Sequence, residues 1–281
     1  MKGKTDSVHS QKNSGIRNAR NRGEAPMTGL PSDAALLEGF QADGYVALPQ
    51  FVKGQEMAEL LGHVDRFVHG TIPQLPPEQV FYENKDAPGT LKQIQHMGDH
   101  DPWFHKLFTG SRFREVAELL LGGPVVPKNL QYFNKPPRVG QPTPPHQDGY
   151  YFMLNPCEAV TMWFALDDVD EENGCVRYVR GSHKQGMRGH SRTNTLGFSQ
   201  GIVGYPTDQD REDEVAIPAK PGDLLVHHAM TIHRADGNLS ATRSRRALGF
   251  IYYSVRACED AEAHAAYQSQ LVQDLESQGK I

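Results

Sequence analysis

The chain has 281 residues, 38% hydrophobic and 22% charged, with a net charge of −5 and a pI near 6.2. That length supports one large hydrophobic core or two small ones. The slight acidity argues against nucleic acid or an anionic membrane as partner, and the longest apolar runs, such as Ala117 to Val126, are too short to cross a bilayer.

No apolar stretch follows the N-terminus, so no secretory signal is expected. The three cysteines, Cys157, Cys175 and Cys258, are odd in number and far apart, so no disulfide framework or zinc knuckle can be read from them. They are expected as buried reduced thiols, consistent with a cytoplasmic protein. Residues 1–30 carry Lys2, Lys4, Lys12, Arg17, Arg20 and Arg22 against only two acids, with few apolar residues. This is the composition of a disordered tail. Residues 31–281 are expected to form a single domain.

Ser32 can cap a short helix bearing Leu36, Leu37 and Phe40, which Gly44 would end. Tyr45 to Leu48 suits a strand. Met57, Leu60, Leu61, Val64 and Val68 recur at helical spacing from Gln55 to Val68. Pro73 to Pro88 is proline-rich and polar, as in a loop. Asp101 to Leu121 suits a helix pair with apolar stripes for packing. Beyond Gly123 short β-rich runs dominate: Val125-Val126, Leu130 to Phe133, Ala159 to Leu166, Cys175 to Val179, Asp223 to Val226 and Ala247 to Tyr253. Asn173-Gly174 is a tight-hairpin signal. The polar stretch His183 to Asp213 is expected as a long loop between strands, with Arg188, His190, Arg192 and Tyr205 as candidate substrate contacts. A last helix spans about Glu259 to Gln278. Many short strands behind helices predict a mainly β protein with flanking helices, built as a sandwich or barrel.

Two segments carry the chemistry. In Gln141 to Tyr150 the centre is His146-Gln147-Asp148. If the segment is extended, His146 and Asp148 project from one face and can share a metal ion. Tyr150 and Phe152 would then follow on that face, as pocket lining or as filler. In Pro221 to Tyr253 a short strand is followed by His227, His228 and His233, and then by Arg243, Arg245 and Arg246. Two histidines and one carboxylate are the facial triad that holds Fe(II) and leaves coordination positions open. An arginine on the next strand can grip a remote carboxylate as a two-pronged fork.

In order and spacing, the pieces from about residue 35 to 255 resemble the phytanoyl-CoA dioxygenase family of Fe(II)- and 2-oxoglutarate-dependent oxygenases. They are Asn134-Lys135-Pro136-Pro137, His146-Gln147-Asp148, Trp163, Glu172-Asn173-Gly174-Cys175, Gly181-Ser182-His183, His233 with Asn238-Leu239-Ser240, and Arg245-Arg246-Ala247-Leu248. The resemblance implies a double-stranded β-helix, the cupin-like jelly roll. It implies His146, Asp148 and His233 as iron ligands and Arg245 as the anchor for 2-oxoglutarate. Gln131, Trp163 and Gln93 match positions lining the cosubstrate pocket. It further implies dioxygen as cosubstrate, ascorbate as an accessory reductant, and hydroxylation of a C–H bond in a small-molecule substrate with release of succinate and carbon dioxide.

Arg245 stands one residue further from His233 than the family spacing, and Arg243 one nearer, so Arg243 and Arg246 remain alternatives. His227 and His228 remain alternatives to His233, Trp163 could be simple core, and His183 is expected to make a structural hydrogen bond. The carboxylate of Asp148 argues against halogenation, which needs that coordination position free for halide. A barrel that only binds or scaffolds would have no use for the complete triad and arginine. A zinc hydrolase with the same ligands would have no use for the arginine. Neither the substrate nor the oligomeric state is legible.

Overall fold

The structure, a computed structural model, describes Met1 and residues 32–196 and 198–277. Apart from Met1, the expected tail of residues 1–30 lies outside the described residues. The chain opens with α1 (Asp33–Asp43), whose cap Ser32 accepts from the Ala35 N–H at 3.3 Å and whose stop is Gly44 at φ +83°. β1 (Tyr45–Leu48) and α2 (Gly54–Gly70) follow. The expected loop between Pro73 and Pro88 contains a short strand, β2 (Val80–Tyr82), which pairs with β3 (Leu91–Ile94). Backbone pairing compensates there for a weak local pattern. α3 (Met97–His100), α4 (Pro102–Thr109) and α5 (Arg112–Leu121) come next. Asp101 caps α4, accepting from the N–H groups of Trp103 and Phe104 at 2.9 and 3.2 Å.

The β-rich part comprises β4 (Val125–Lys135), β5 (Thr143–His146), the turn of helix α6 (Gly149–Phe152), β6 (Leu154–Asn155), β7 (Ala159–Ala165) and β8 (Val176–Val179). It continues through β9 (His190–Thr195), β10 (Phe198–Ile202), α7 (Asp208–Asp213), β11 (Glu214–Ile217), β12 (Leu224–His228), β13 (His233–Ala235) and β14 (Arg245–Ser254). β15 (Cys258–Glu259) and α8 (Ala261–Ser277) end it. The two runs read around Val125 and Leu130 are one strand, which tolerates Pro127 because the ladder shifts register between Ile251 and Tyr252 opposite it.

A seven-stranded sheet runs β1-β12-β7-β14-β4-β3-β2, and a four-stranded sheet runs β11-β8-β13-β5, both antiparallel. Together they form the double-stranded β-helix. Strand parity assigns the two faces of the large sheet. Val160, Met162, Phe164, Leu224, Val226, Leu248, Phe250 and Tyr252 join the core under α1, α2, α4 and α5. Their alternates, including Trp163, Ala165, Leu225 and Ala247, pack with Val176 and Tyr178 of the small sheet. The chemistry lies on this second face.

Three further expectations change. Asn173-Gly174 makes no hairpin, because β7 and β8 belong to different sheets. The turn carries the chain across, with Asn173 donating to Asp168 O at 2.8 Å and Gly174 at φ +87°. The stretch His183 to Asp213 is a β9–β10 hairpin followed by α7 rather than a loop. Thr207 and Asp210 close a capping box on α7, and Arg188 donates to both oxygens of Asp210 at 3.0 and 2.8 Å. Of the cysteines only Cys175 is buried; Cys157 is half-buried and Cys258 exposed. Among the described residues no helix is long and apolar enough to cross a membrane.

Candidate active site

β5 ends at His146, and Asp148 has helical dihedrals (φ −57°, ψ −33°) at the start of α6. The pair therefore converges because the chain turns, not because both residues share a strand face. Tyr150 accordingly points away and stacks on His190 at 4.3 Å, whereas Tyr151 and Phe152 line the cavity. His233 opens β13 directly opposite His146. His146 Nε2 and His233 Nε2 lie 3.3 and 3.7 Å from Asp148 Oδ1. Donor atoms of all three residues fall within 4.8 Å of one another, and all three are buried.

The hydrogen bonds around the triad fix which atoms remain free. His146 Nδ1–H donates to Pro144 O at 2.8 Å, and His233 Nδ1–H to Thr231 O at 3.0 Å. Each ring therefore presents the lone pair of Nε2 inward. Asp148 Oδ2 accepts from Thr161 Oγ1 at 2.5 Å and from His227 Nε2–H at 3.0 Å. That leaves Oδ1 for a metal. Tyr178 OH donates to His227 Nδ1 at 3.1 Å, which fixes the tautomer. Burial alone would raise the Asp148 carboxyl, but the hydrogen bond it accepts from His227 helps to hold it well below the usual carboxylate range. Burial, with His146 and His227 nearby, pushes His233 far down and favours its neutral imidazole. A small cation of octahedral habit fits this donor set.

His227 thus supports the carboxylate rather than replacing His233. Its role was legible in one respect: in β12, Leu224 and Val226 face the helices, so Leu225 and His227 must face inward. His228 points to the helix side, against Phe40. His183 lies outside the triad, its ring 5.8 Å from that of His228.

Arg245 is 5% exposed and lines the same cavity. Its Nε–H donates to Gly174 O at 2.9 Å, and its guanidinium lies 5.0 Å from the Trp163 ring centroid. Arg243 instead pairs with Asp170 and Glu172, and Arg246 with Asp167 and Asp65, outside the cavity. Gln93 and Gln131 are both buried in the cavity wall, with Gln93 Nε2 donating to Gln131 Oε1 at 2.7 Å. Among the described residues Gln93 Oε1 has no hydrogen-bond partner. Turning both amides over keeps the shared bond and puts an N–H donor at that orphaned position, as a bound carboxylate would require. The cavity has a volume of about 580 Å³. The candidate contacts Arg188, His190, Arg192 and Tyr205 do not line it: Arg188 and Tyr205 are held by Asp210 and Glu214, and Arg192 pairs with Asp274 of α8. Tyr267 and Leu271 of α8 do line it, and Tyr267 OH bonds Ser199 of β10. No local pattern marked α8 as a cavity wall.

The sequence profile of the phytanoyl-CoA dioxygenase (PhyH) family matches residues 40–247. The chain belongs to the phytanoyl-CoA dioxygenase family. It is an Fe(II)- and 2-oxoglutarate-dependent oxygenase. Phytanoyl-CoA dioxygenase 1 of Oryza sativa subsp. japonica is 28% identical over 257 residues, covering 79% of this chain and 89% of the rice protein. A probable alpha-ketoglutarate-dependent hypophosphite dioxygenase of Stutzerimonas stutzeri is 25% identical, covering 72% of each chain. Among solved structures, EvdO2 from Micromonospora carbonacea var. aurantiaca superposes with a TM-score of 0.65 at 26% identity, covering 84% of this chain and 96% of its own. In this phytanoyl-CoA dioxygenase family member, the NGC and GSH segments are positioning devices. Ser182 accepts from Ile232 N–H at 2.9 Å just before His233, and Gly174 supplies the carbonyl that holds Arg245.

Proposed function

We propose that this oxygenase hydroxylates a C–H bond of a small-molecule substrate, with iron held by His146, Asp148 and His233 and the far carboxylate of 2-oxoglutarate gripped by Arg245. The observation that carries this is the triad facing Arg245 within one buried cavity large enough for cosubstrate and substrate together. When bound, iron and 2-oxoglutarate supply with dioxygen the oxidation that turns C–H into C–OH and yields succinate and carbon dioxide. The chain's own residues do the rest. His146 and His233 turn Nε2 inward to ligate, Thr161 and His227 aim Asp148 Oδ1, and Trp163 with Gln131 and Gln93 walls the cosubstrate side.

Strand β14 gives the cavity its two ends. Its inward positions run from Arg245 through Gly249 to Tyr253, and Thr161, which holds Asp148, is opposite Ile251. The substrate is placed at the Tyr253 end, among Tyr151, Phe152, Tyr267 and Leu271. These aromatic and aliphatic walls exclude water from the reacting carbon. The carboxylate at Asp148 leaves no position for halide, which favours oxygen return over halogenation.

Protein supplied with Fe(II), ascorbate and 2-oxoglutarate is expected to release succinate, faster when a substrate is present. His146→Ala and Asp148→Ala should each abolish release. Unchanged succinate in both variants would overturn the assignment, and the absence of any stabilisation by metal and 2-oxoglutarate would favour a non-catalytic binding barrel.

A further inference from the structure

We propose that Lys135 is a second cationic anchor for the far carboxylate of 2-oxoglutarate, acting together with Arg245. Lys135 ends β4 directly opposite Arg245 of β14. Asn238 holds the two strands in that register by donating to the carbonyls of Lys135 and Arg243 at 2.8 and 2.7 Å. Strand parity turns Gln131, Phe133 and Lys135 to one face, and all three line the cavity with Arg245.

Both cations are buried, at 4% and 5% exposure, and among the described residues neither has a carboxylate within 4.0 Å. The Lys135 ammonium donates to Gln141 O at 2.6 Å, and among the described residues Arg245 meets Gly174 O and the Trp163 ring. The nearby carboxylates are committed elsewhere. Glu83 takes Lys92 at 3.2 Å and the Gln141 N–H at 2.9 Å, and Asp236 takes Arg177 and Arg234. Burial and the neighbouring Arg245 push the Lys135 ammonium well below its ordinary range, and burial pushes Arg245 down to about 10. Two adjacent buried cations without a counter-ion repel each other and are poorly solvated. A cavity that keeps both is built for an anion with two oxygens to share. Gly174 lets them approach, since a side chain there would meet Asp236 O at 2.4 Å and the Lys135 Cδ at 3.3 Å.

Because this rests on the 2-oxoglutarate reading above, the test separates the two. Fe(II)-loaded protein is titrated without oxygen, following tryptophan fluorescence, with 2-oxoglutarate and with 2-oxopentanoate, which lacks the far carboxylate. Wild type is expected to prefer 2-oxoglutarate strongly. Lys135→Met should weaken 2-oxoglutarate by roughly 10- to 100-fold while leaving 2-oxopentanoate unchanged, and Lys135→Arg should restore most of the preference. The ligand-free thermal midpoint of Lys135→Met should match or exceed that of wild type, since an uncompensated buried charge is gone. If Lys135→Met does not fold, Lys135→Gln keeps a donor for Gln141 O and gives the same comparison. Equal affinity of wild type and variant for 2-oxoglutarate, or equal weakening of both ligands, would overturn the role of Lys135. If Arg245→Met also leaves the preference intact, the cosubstrate reading itself fails.

Discussion

Asp148 illustrates how much of a metal site is made by residues that never touch the metal. Its Oδ2 is held by Thr161 and His227, and His227 is held by Tyr178. Removing one of these partners frees the carboxylate to rotate and leaves a buried polar atom short of a bond. Thr161→Val and His227→Phe are each expected to lower metal affinity by roughly 10- to 100-fold, measured by Fe(II) or Mn(II) titration. Their thermal midpoints should change far less than their metal affinities. Undiminished affinity in both variants would show that Asp148 is oriented by the backbone of α6 alone.

At the scale of the element, two glycines in different settings behave oppositely. Gly62 lies mid-way along α2 with nothing within 4 Å of an added Cβ. Gly62→Ala should stabilise the protein by about 0.5–1 kcal/mol, because alanine loses less backbone entropy in a helix. Gly222, in the turn before β12, has φ +93°, and a Cβ there would sit 2.0 Å from Val52 O. Gly222→Ala should cost about 1–3 kcal/mol and disturb the strand that carries His227. Chemical denaturation of the two variants reads both signs directly.

For the whole molecule, the histidine-rich interior predicts an acid limb of stability. Burial, with His183 and His227 nearby, lowers His228 from 6.5 to about 4. The unfolded chain therefore binds a proton near 6.5 that the folded chain refuses until about 4. Stability is fully present above 6.5 and is lost progressively as pH falls toward 4. Thermal midpoints at about pH 7.5 and about pH 5 should differ less in His228→Asn than in wild type. Asparagine can still accept the Met230 N–H that His228 Nδ1 accepts at 3.0 Å. An identical pH response in the variant would remove His228 from the account.

Much of this protein was decided locally and could be read locally. Ser32 and Gly44 bound α1 because a hydroxyl cap and a left-handed stop act within a few residues. The HQD segment, His233 and Arg245 stood out as candidates because the order of these pieces resembles the family's, while His227, His228, Arg243 and Arg246 stayed open as alternatives. Other features depended on residues distant in sequence. Asp148 left its strand because α6 begins there, β9 and β10 paired where composition suggested a loop, and Arg245 rather than Arg243 or Arg246 entered the cavity because pairing with β4 set the phase of β14. The support of Asp148 by Thr161 and His227, and the meeting of Lys135 with Arg245, exist only between strands. Sequence determines which groups are present and which way neighbours alternate; register across a sheet, fixed by the burial of one face, decides which of them meet.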